Sequence, residues 1–203
     1  YDNKLATFTH LLISIIIKLV NIRKGILDMT EKAKSFFEWL FVIGIAIVLA
    51  LLLRNFVIST THVEGNSMNP TIENGDRIFV NRMGIFKNKL KRGNIIELHA
   101  PDKSGRDYIK RIVALPGDTV ELKNNKVYVN NEQLNENYTS SQTTLVSGSK
   151  TKWELGEDEY FVLGDNRLPR ESNDSRIFGP INKKAIVGRA FLRYFPFNKF
   201  GVL

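Results

Sequence analysis

The strongest constraint on this chain is an uncharged apolar run in its N-terminal part. Residues 39–53 read WLFVIGIAIVLALLL, 15 residues without a charge, and Glu38 and Arg54 bound the run. A helix needs about 20 mainly apolar residues to cross a bilayer. Residues 36–58 reach that length when Glu38 and Arg54 lie near the two membrane interfaces and Trp39 anchors one of them. We therefore interpret residues 36–58 as a transmembrane anchor, with a buried core helix as the weaker alternative.

A cleavable signal peptide is another alternative for the same run. The run has no small-x-small site after a short apolar core, and this favours a retained anchor. Positive charge tends to remain on the cytoplasmic side of a membrane segment. The basic residues that precede the run are Arg23, Lys24, Lys32 and Lys34. We therefore predict a single-pass protein of the cell membrane whose remaining residues face the extracytoplasmic side.

The first 28 residues are harder to interpret. Their apolar stretch, residues 11–20, is short and is interrupted by Lys18, whereas Met29 begins a sequence typical of a translation start. Two interpretations remain: an upstream extension without function, or a weak additional membrane segment within residues 6–20. The predicted organisation is a leader and cytoplasmic segment at 1–35 with Met29 as candidate natural start, an anchor at 36–58, and an extracytoplasmic β-rich domain at 59–203.

Composition excludes several classes of chemistry. The chain has no cysteine, so disulfides, thiolate catalysis and cysteine metal sites are excluded. Its histidines, His10, His62 and His99, do not have the spacing of metal ligands. The net charge is +8, but the basic residues are scattered and interleaved with acidic ones. This pattern favours a basic domain beside an anionic membrane over a nucleic-acid-binding domain. We expect no metal, no cofactor and no nucleic-acid partner.

The sequence after the apolar run changes to short β-rich stretches separated by Gly, Pro, Asn and Asp. Turn residues such as Pro116-Gly117-Asp118 fall where hairpins need them. The predicted strands are 77–80, 94–98, 108–115, 119–122, 126–129, 160–163 and 186–194. We predict a mainly β domain with antiparallel pairing. Residues 130–152 are polar and are interpreted as a solvent-exposed excursion.

Ser67 and Lys110 are the candidate catalytic pair. A serine needs a base to become a nucleophile, and without a histidine pattern nearby the alternative is a neutral amine. Alternation in the strand places Lys110 on the face of Tyr108 and Ile112, where burial would lower its pKa. Arg111 is expected to point the other way, to solvent. The alternative is that Ser67 is an ordinary turn hydroxyl and Lys110 a surface lysine.

A third cluster follows the strand at 160–163, where side chains can converge on a site. Carboxylates and guanidinium groups there can form fork-like pairs that fix a loop, and a nearby hydroxyl could orient the lysine amine. The alternative is a structural ion-pair network without catalytic duty. The candidate supporting residues are Asp165, Arg167, Ser172, Asp174 and Arg176.

Four sequence blocks occur in order after the apolar run. They are GNSMNPT at 65–71, KRGNII at 91–96, YIKRIVALPGD at 108–118, and GDNR at 164–167 followed by Ser175-Arg176. Each block alone is weak, but the four together resemble the bacterial type I signal peptidases, which use a Ser-Lys dyad. The resemblance runs from about residue 36 to about residue 197.

The resemblance implies specific roles. Ser67 would be the nucleophile, with its backbone N–H as an oxyanion donor, and Lys110 would be the general base. The implied fold is an all-β catalytic domain of two antiparallel sheets, with an apolar edge toward the lipid bilayer to which residues 56–58 and 195–197 could contribute. The implied partners are the signal peptides of exported preproteins, cut after a small-x-small motif close to the secretion machinery.

Two departures from the family pattern are visible. Gram-negative relatives have a serine two residues before the nucleophile as a second oxyanion donor, whereas this chain has Gly65, as in the Gram-positive branch. A second oxyanion donor is therefore unassigned. Residues 168–171 make the connection from Arg167 to Ser172 two residues longer than the family usually has, which weakens the assignment of Ser172 as the lysine's partner.

Two rival interpretations accompany the resemblance. Self-cleaving repressor peptidases share the Ser-Lys chemistry, but they have a DNA-binding helix-turn-helix where this chain has its apolar run. A membrane-anchored binding or assembly module without catalysis is the alternative from another class. Such a degenerate relative would be expected to have lost Ser67 or Lys110, and this chain retains both.

Overall fold

The computed structural model describes residues 13–18, 20–21, 31–56, 58–83, 90–147 and 149–203. The candidate start at Met29 lies outside the described residues, as does most of the leader. The chain divides into two compact units, Tyr1–Leu53 and Arg54–Leu203.

Helix α1 spans Glu31–Phe56 and accounts for most of the described part of the first unit. Its sequence contains no proline, and Gly44 is the one glycine, so little in it opposes a continuous helix. Large apolar side chains on the helix are exposed, among them Val42, Ile43, Ile47, Leu49 and Leu51. Within the described ranges, we find no helix that combines the length and the apolarity needed to cross a membrane.

The second unit is built almost entirely of β-strands. They are β1 (Ile58–His62), β2 (Arg77–Asn81), β3 (Ile95–His99), β4 (Asp107–Ala114), β5 (Thr119–Lys123), β6 (Lys126–Val129), β7 (Glu132–Gln133), β8 (Lys152–Glu154), β9 (Glu159–Leu163), β10 (Ile181–Asn182), β11 (Ile186–Phe195) and β12 (Gly201–Val202). Helix α2 spans Ser175–Phe178, and 3-10 turns occupy Lys183–Ala185 and Phe197–Lys199.

Two antiparallel sheets organise these strands. The larger has the order β1-β2-β11-β3-β4-β9-β10 with β12 paired to β11, and the smaller has the order β7-β6-β5-β8. The prediction of a mainly β, antiparallel two-sheet domain is confirmed. Strand β4 pairs with β3 through residues 107–111 and with β9 at Arg111, Ile112 and Ala114. Its first half thus has a ladder partner on one side only among the described strands.

All seven strands expected from the sequence are present, most with ends shifted by one residue. Five others were not expected. Strands β7, β10 and β12 are two residues long, too short to show a periodicity. Strand β1 reads ISTTH and directly follows the apolar run, and β8 is a three-residue strand at the end of a polar stretch.

The core of the second unit consists of three apolar clusters, which form because alternate strand residues point inward. One cluster joins the small sheet to β9 through Trp153 and Phe161, whose ring centroids are 4.8 Å apart. A second lies between β3, β4 and β9. The third lies beside Ser67 and includes Val63, Met68 and Ile109.

The excursion at 130–152 is not simply solvent-exposed, so that expectation is wrong in part. Thr144 is buried, and the backbone N–H of Ser140 donates to the carbonyl oxygen of Asp165 at 3.0 Å. The polar composition misled the prediction because this segment attaches to the core through hydrogen bonds and an ion pair, not through apolar side chains.

Candidate active site

Ser67 lies in the loop between β1 and β2. The loop is fixed from below by Met68, whose side chain is 1% exposed, and the N–H of Ile72 donates to the Met68 carbonyl at 3.0 Å. Gly65 has a φ of 96°, a conformation that glycine adopts without strain. The backbone at this position therefore favours glycine, the residue that occupies the place of the Gram-negative serine.

Lys110 reaches Ser67 from β4. Its Nζ lies 2.9 Å from Ser67 Oγ and 2.9 Å from the carbonyl oxygen of Ile109. The ring of Tyr108 lies below the amine, with Nζ 5.0 Å from the ring centroid. The expectation that Lys110 shares a strand face with Tyr108 is met.

Burial lowers the pKa of Lys110. The residue is 3% exposed, and desolvation brings its pKa down to about 8, while the negative charges of Asp174 and Asp102 act in the opposite direction. A lysine with such a pKa is neutral in a substantial fraction of molecules near pH 8. It can then accept a proton from the hydroxyl that it contacts.

Arg111 is buried, so the expectation that it points to solvent is wrong. Its Nε donates to Asp165 Oδ1 at 2.8 Å and its Nη2 donates to Asp165 Oδ2 at 2.6 Å. Asp165 is 0% exposed, and Arg111 also donates to the carbonyl oxygen of Gly93 at 2.7 Å. A two-bond ion pair with an inward-facing carboxylate can hold a guanidinium inside the protein.

Asp165 also connects the loop of Ser67 to the loop that follows β9. Thr71 Oγ1 donates to Asp165 Oδ2 at 2.6 Å. The guanidinium of Arg111 lies 4.1 Å from the ring centroid of Tyr138, a residue of the excursion, and this is a cation–π contact. The carboxylate thus links three segments that are distant in sequence.

Arg167 is held by the excursion as well as by its own cluster. Its side chain is fully buried and forms a two-bond ion pair with Glu136 through Nη1 and Nη2. It also donates to Thr144 Oγ1 at 2.8 Å and to the Gly164 carbonyl at 2.7 Å. The sequence did not indicate Glu136, since nothing in the polar stretch distinguishes it from Glu132.

Asp174 and Arg176 form the fork-like pair expected of them. Arg176 donates through Nε to Asp174 Oδ1 and through Nη2 to Asp174 Oδ2, each at 2.8 Å. Asp174 also caps helix α2 and accepts from the backbone N–H of Gly164 at 3.1 Å. The pair therefore supports the strand end after β9.

Ser172 is buried but makes no bond to Lys110. Its Oγ has no hydrogen-bond partner among the described residues. It lies against Gly164, where a side chain would place its Cβ under 3.0 Å from both Ser172 Oγ and the Ser67 carbonyl oxygen. Gly164 is therefore a point of close backbone approach, and Ser172 packs behind it.

Asn166 completes the attachment of the Ser67 loop. Its backbone N–H donates to the Ser67 carbonyl at 3.0 Å, and its Nδ2 donates to the Asn66 carbonyl at 3.0 Å. Asn166 was not among the expected supporting residues, although its place within the GDNR block was a usable signal. The site thus consists of Ser67 and Lys110 within a shell of buried polar residues.

Comparisons with known proteins identify the family. A family model described as signal peptidase, peptidase S26, matches residues 36–195. Signal peptidase I of Bacillus licheniformis is 40% identical over 178 residues, covering 84% of this chain and 94% of that protein. Signal peptidase IB of Staphylococcus aureus (strain Mu50 / ATCC 700699) is 35% identical over 182 residues, covering 82% and 93%.

A crystal structure of a signal peptidase I from Enterococcus faecalis V583 is 34% identical and covers 50% of this chain and 97% of that chain, with a TM-score of 0.40. On the family match and the curated relatives, the chain belongs to the signal peptidase family, peptidase S26. It is an enzyme, a serine endopeptidase that hydrolyses peptide bonds.

Proposed function

We propose that this chain removes signal peptides from exported preproteins by means of a Ser67–Lys110 dyad. The observation that supports this most strongly is the 2.9 Å approach of a buried lysine amine to a serine hydroxyl. Neither feature alone would be enough, because a protonated lysine cannot act as a base and a distant amine cannot reach the proton. Family membership supplies the substrate class.

The reaction follows from the dyad. Ser67 Oγ attacks the scissile carbonyl carbon while its proton moves to Lys110 Nζ, and the backbone N–H of Ser67 donates to the oxyanion. The C–N bond then breaks as Lys110 returns the proton to the leaving amine. A water molecule, deprotonated by Lys110, attacks the acyl-enzyme ester and releases the signal peptide and free Ser67.

The carbonyl of Ile109 has a positioning role in this proposal. It accepts a hydrogen bond from Lys110 Nζ at 2.9 Å, and this bond helps to orient the amine toward Ser67 Oγ. The shell residues act through the backbone that they fix: Asp165 and Arg167 hold the loop after β9, and Asp174 with Arg176 supports its start. Ser172 is assigned to packing against Gly164.

The substrate is proposed to dock as an added β-strand. Strand β1 is at the edge of the larger sheet, and the first half of β4 has β3 as its neighbour. An extended peptide that pairs with such edges presents alternate side chains to the same face. Shallow floors two residues apart would accept a small-x-small motif.

Membrane attachment is proposed from the sequence. The run at 36–58 has the length and the flanking charges of an anchor, and α1 makes residues 31–56 helical. In the catalytic unit, apolar side chains near the end of β11 are exposed: Phe195 at 40%, Phe197 at 80% and Phe200 at 63%. Such a patch fits contact with lipid, with the catalytic unit on the extracytoplasmic face of a cell membrane.

Trapping the acyl-enzyme tests this proposal. A preprotein is mixed with the detergent-solubilised chain, quenched in acid within one turnover and digested for mass spectrometry. The proposal predicts an ester between Ser67 Oγ and the C-terminal carboxyl of the signal peptide, absent in Ser67→Ala and in Lys110→Ala. An ester on a different residue of the folded wild type would contradict it.

A further inference from the structure

The larger sheet curls so that β1 approaches β3, although β2 and β11 lie between them in the strand order. The contact that shows this is a hydrogen bond of 2.6 Å from Thr61 Oγ1 to Glu97 Oε1. The free edges of β1 and of the first half of β4 are both close in sequence to Ser67 or Lys110. A peptide docked along these edges therefore passes over the residues between them.

The floor beneath such a peptide changes character with distance from Ser67. Beside Ser67 it is apolar, with Val63, Met68 and Ile109 in one cluster. Thr61 lies on β1, two residues before Val63 and thus further from Ser67. Glu97 is the cross-strand partner of Ile109. Residues i and i+2 of a strand share a face and are about 6.6–6.8 Å apart, which is also the spacing of alternate side chains in an extended peptide.

This spacing assigns the two floors to two substrate positions. When the residue before the scissile bond lies over Val63 and Met68, the third residue upstream lies over Thr61 and Glu97. The side chains named for the first floor are apolar, so they suit a small aliphatic substrate side chain. The second contains a carboxyl group, which is an unexpected floor for a small aliphatic side chain.

Glu97 is not used by the ion-pair network of the site. It is 4% exposed, and its Oε1 accepts from Thr61, whereas no donor from the described residues reaches its Oε2. In the described part of the chain, the side-chain polar atoms that are both buried from solvent and without a partner are Asn69 Oδ1 and Ser172 Oγ. Because Glu97 Oε2 is not one of them, it remains in contact with solvent. Burial raises the pKa of Glu97. The hydrogen bond from Thr61 lowers this pKa, but its effect is smaller than that of burial.

We propose that Glu97, held by Thr61, determines specificity by favouring a small hydroxyl-bearing side chain at the third substrate residue before the cut. This inference rests on the proposed signal-peptide cleavage and deepens it. A threonine or serine hydroxyl can donate to Oε2 of the carboxylate, or accept from the carboxylic acid. A valine covers the same oxygen without offering a partner, and a buried unpaired oxygen is unfavourable.

An isosteric pair of substrates isolates the hydroxyl. Two preproteins are compared that end their signals in Thr-x-Ala and Val-x-Ala and are otherwise identical. We expect the wild type to cleave the threonine substrate with kcat/KM about threefold to tenfold above the valine substrate, the range that one net hydrogen bond supplies. A third substrate with Lys-x-Ala distinguishes hydroxyl recognition from charge recognition.

Variants locate the preference at Glu97. Glu97→Leu is expected to abolish or reverse it, while Glu97→Gln, which can still donate and accept, is expected to keep it. Glu154→Leu is the matched control, since Glu154 is an exposed strand glutamate on β8, and it should leave the ratio unchanged. Should Glu97→Leu not fold, the wild-type ratio and Glu97→Gln still decide the outcome.

Three results would overturn the inference: equal cleavage of the threonine and valine substrates by the wild type, an unchanged ratio in folded Glu97→Leu, or a preference for Lys-x-Ala that Glu97→Gln removes. Failure to cleave an Ala-x-Ala preprotein is a different result, because it would contradict the proposed function itself.

Discussion

Lys110 Nζ and Ser67 Oγ lie 2.9 Å apart although 43 residues separate them in sequence. The contact forms because β4 directs the lysine inward while the loop after β1 brings the serine to the same point. Burial of the amine has two consequences, since it lowers the pKa of Lys110 and also makes the charged form unfavourable inside the fold.

The first consequence concerns the pH dependence of cleavage. The pKa of Lys110 is lowered from 10.5 to about 8, so the neutral amine becomes the major form above that pH. We expect kcat/KM to rise about tenfold per pH unit below the midpoint and to level off above it. Rates measured from pH 6 to 10 with a short signal-peptide substrate give the midpoint. A midpoint near pH 10 would show an unperturbed lysine and contradict this account.

The second consequence concerns stability. In Lys110→Met the buried charge is replaced by an apolar side chain, and we expect the unfolding free energy at pH 7 to rise by about 1–3 kcal/mol while activity is lost. In the wild type the unfolded chain binds more protons than the native one between the folded pKa of about 8 and 10.5, so wild-type stability increases with pH across that window.

The advantage of Lys110→Met should therefore be largest below pH 8 and should shrink as the pH rises toward 10.5. Urea unfolding at pH 7 and pH 10 measures both values. An advantage that does not change with pH would mean that the pKa of Lys110 is the same in the native and the unfolded state, which contradicts a lowered pKa.

Gly164 is expected to be intolerant of a side chain. A Cβ there would lie under 3.0 Å from the Ser67 carbonyl oxygen, so Gly164→Ala must displace the backbone of Ser67. We expect kcat/KM to fall at least about tenfold. The matched control is Gly156→Ala, whose new Cβ would be 3.5 Å from the Glu159 side chain, an ordinary contact. Wild-type activity in Gly164→Ala would show that the approach is less close.

Ser172→Ala tests whether the hydroxyl orients the lysine. Because Ser172 Oγ has no hydrogen-bond partner among the described residues, its removal should change kcat/KM by no more than about twofold and leave the pH midpoint in place. The measurement is the same pH profile as for the wild type. A tenfold loss with a shifted midpoint would support the role that the family resemblance implies for this serine.

Much of the fold could be predicted from the sequence, because the longer strands alternate and are bounded by turn residues. The burial of Arg111 could not be predicted in this way. Alternation correctly placed it on the face opposite Lys110, but a second buried face was not visible, because its partner Asp165 is 54 residues away. Alternation separates two faces of a strand and does not say which of them is covered.

The shell of the site was predicted incompletely for a related reason. The pair Asp174–Arg176 is local in sequence and was recognisable. The partners of Asp165 and Arg167 are Arg111 and Glu136, which come from other strands and loops. Charge pairing across long sequence separations depends on the topology, and the polar excursion at 130–152 gave no apolar pattern from which its docking could be inferred.

Identifying the bond that is cut tests whether Ser67 and Lys110 form the catalytic dyad of a signal peptidase. The detergent-solubilised chain is given a preprotein whose signal ends in Ala-x-Ala, and the new N-terminus of the product is read by mass spectrometry. Ser67→Ala, Lys110→Ala and Lys110→Arg are run beside the wild type, with His62→Ala and His99→Ala as controls.

We predict cutting after the second alanine by the wild type and by both histidine variants, and no product from the three dyad variants, since arginine stays protonated and cannot act as the base. No cutting by a folded wild type would contradict the account and favour a non-catalytic membrane module. Near-normal activity of Lys110→Arg would rule out the neutral amine as the base.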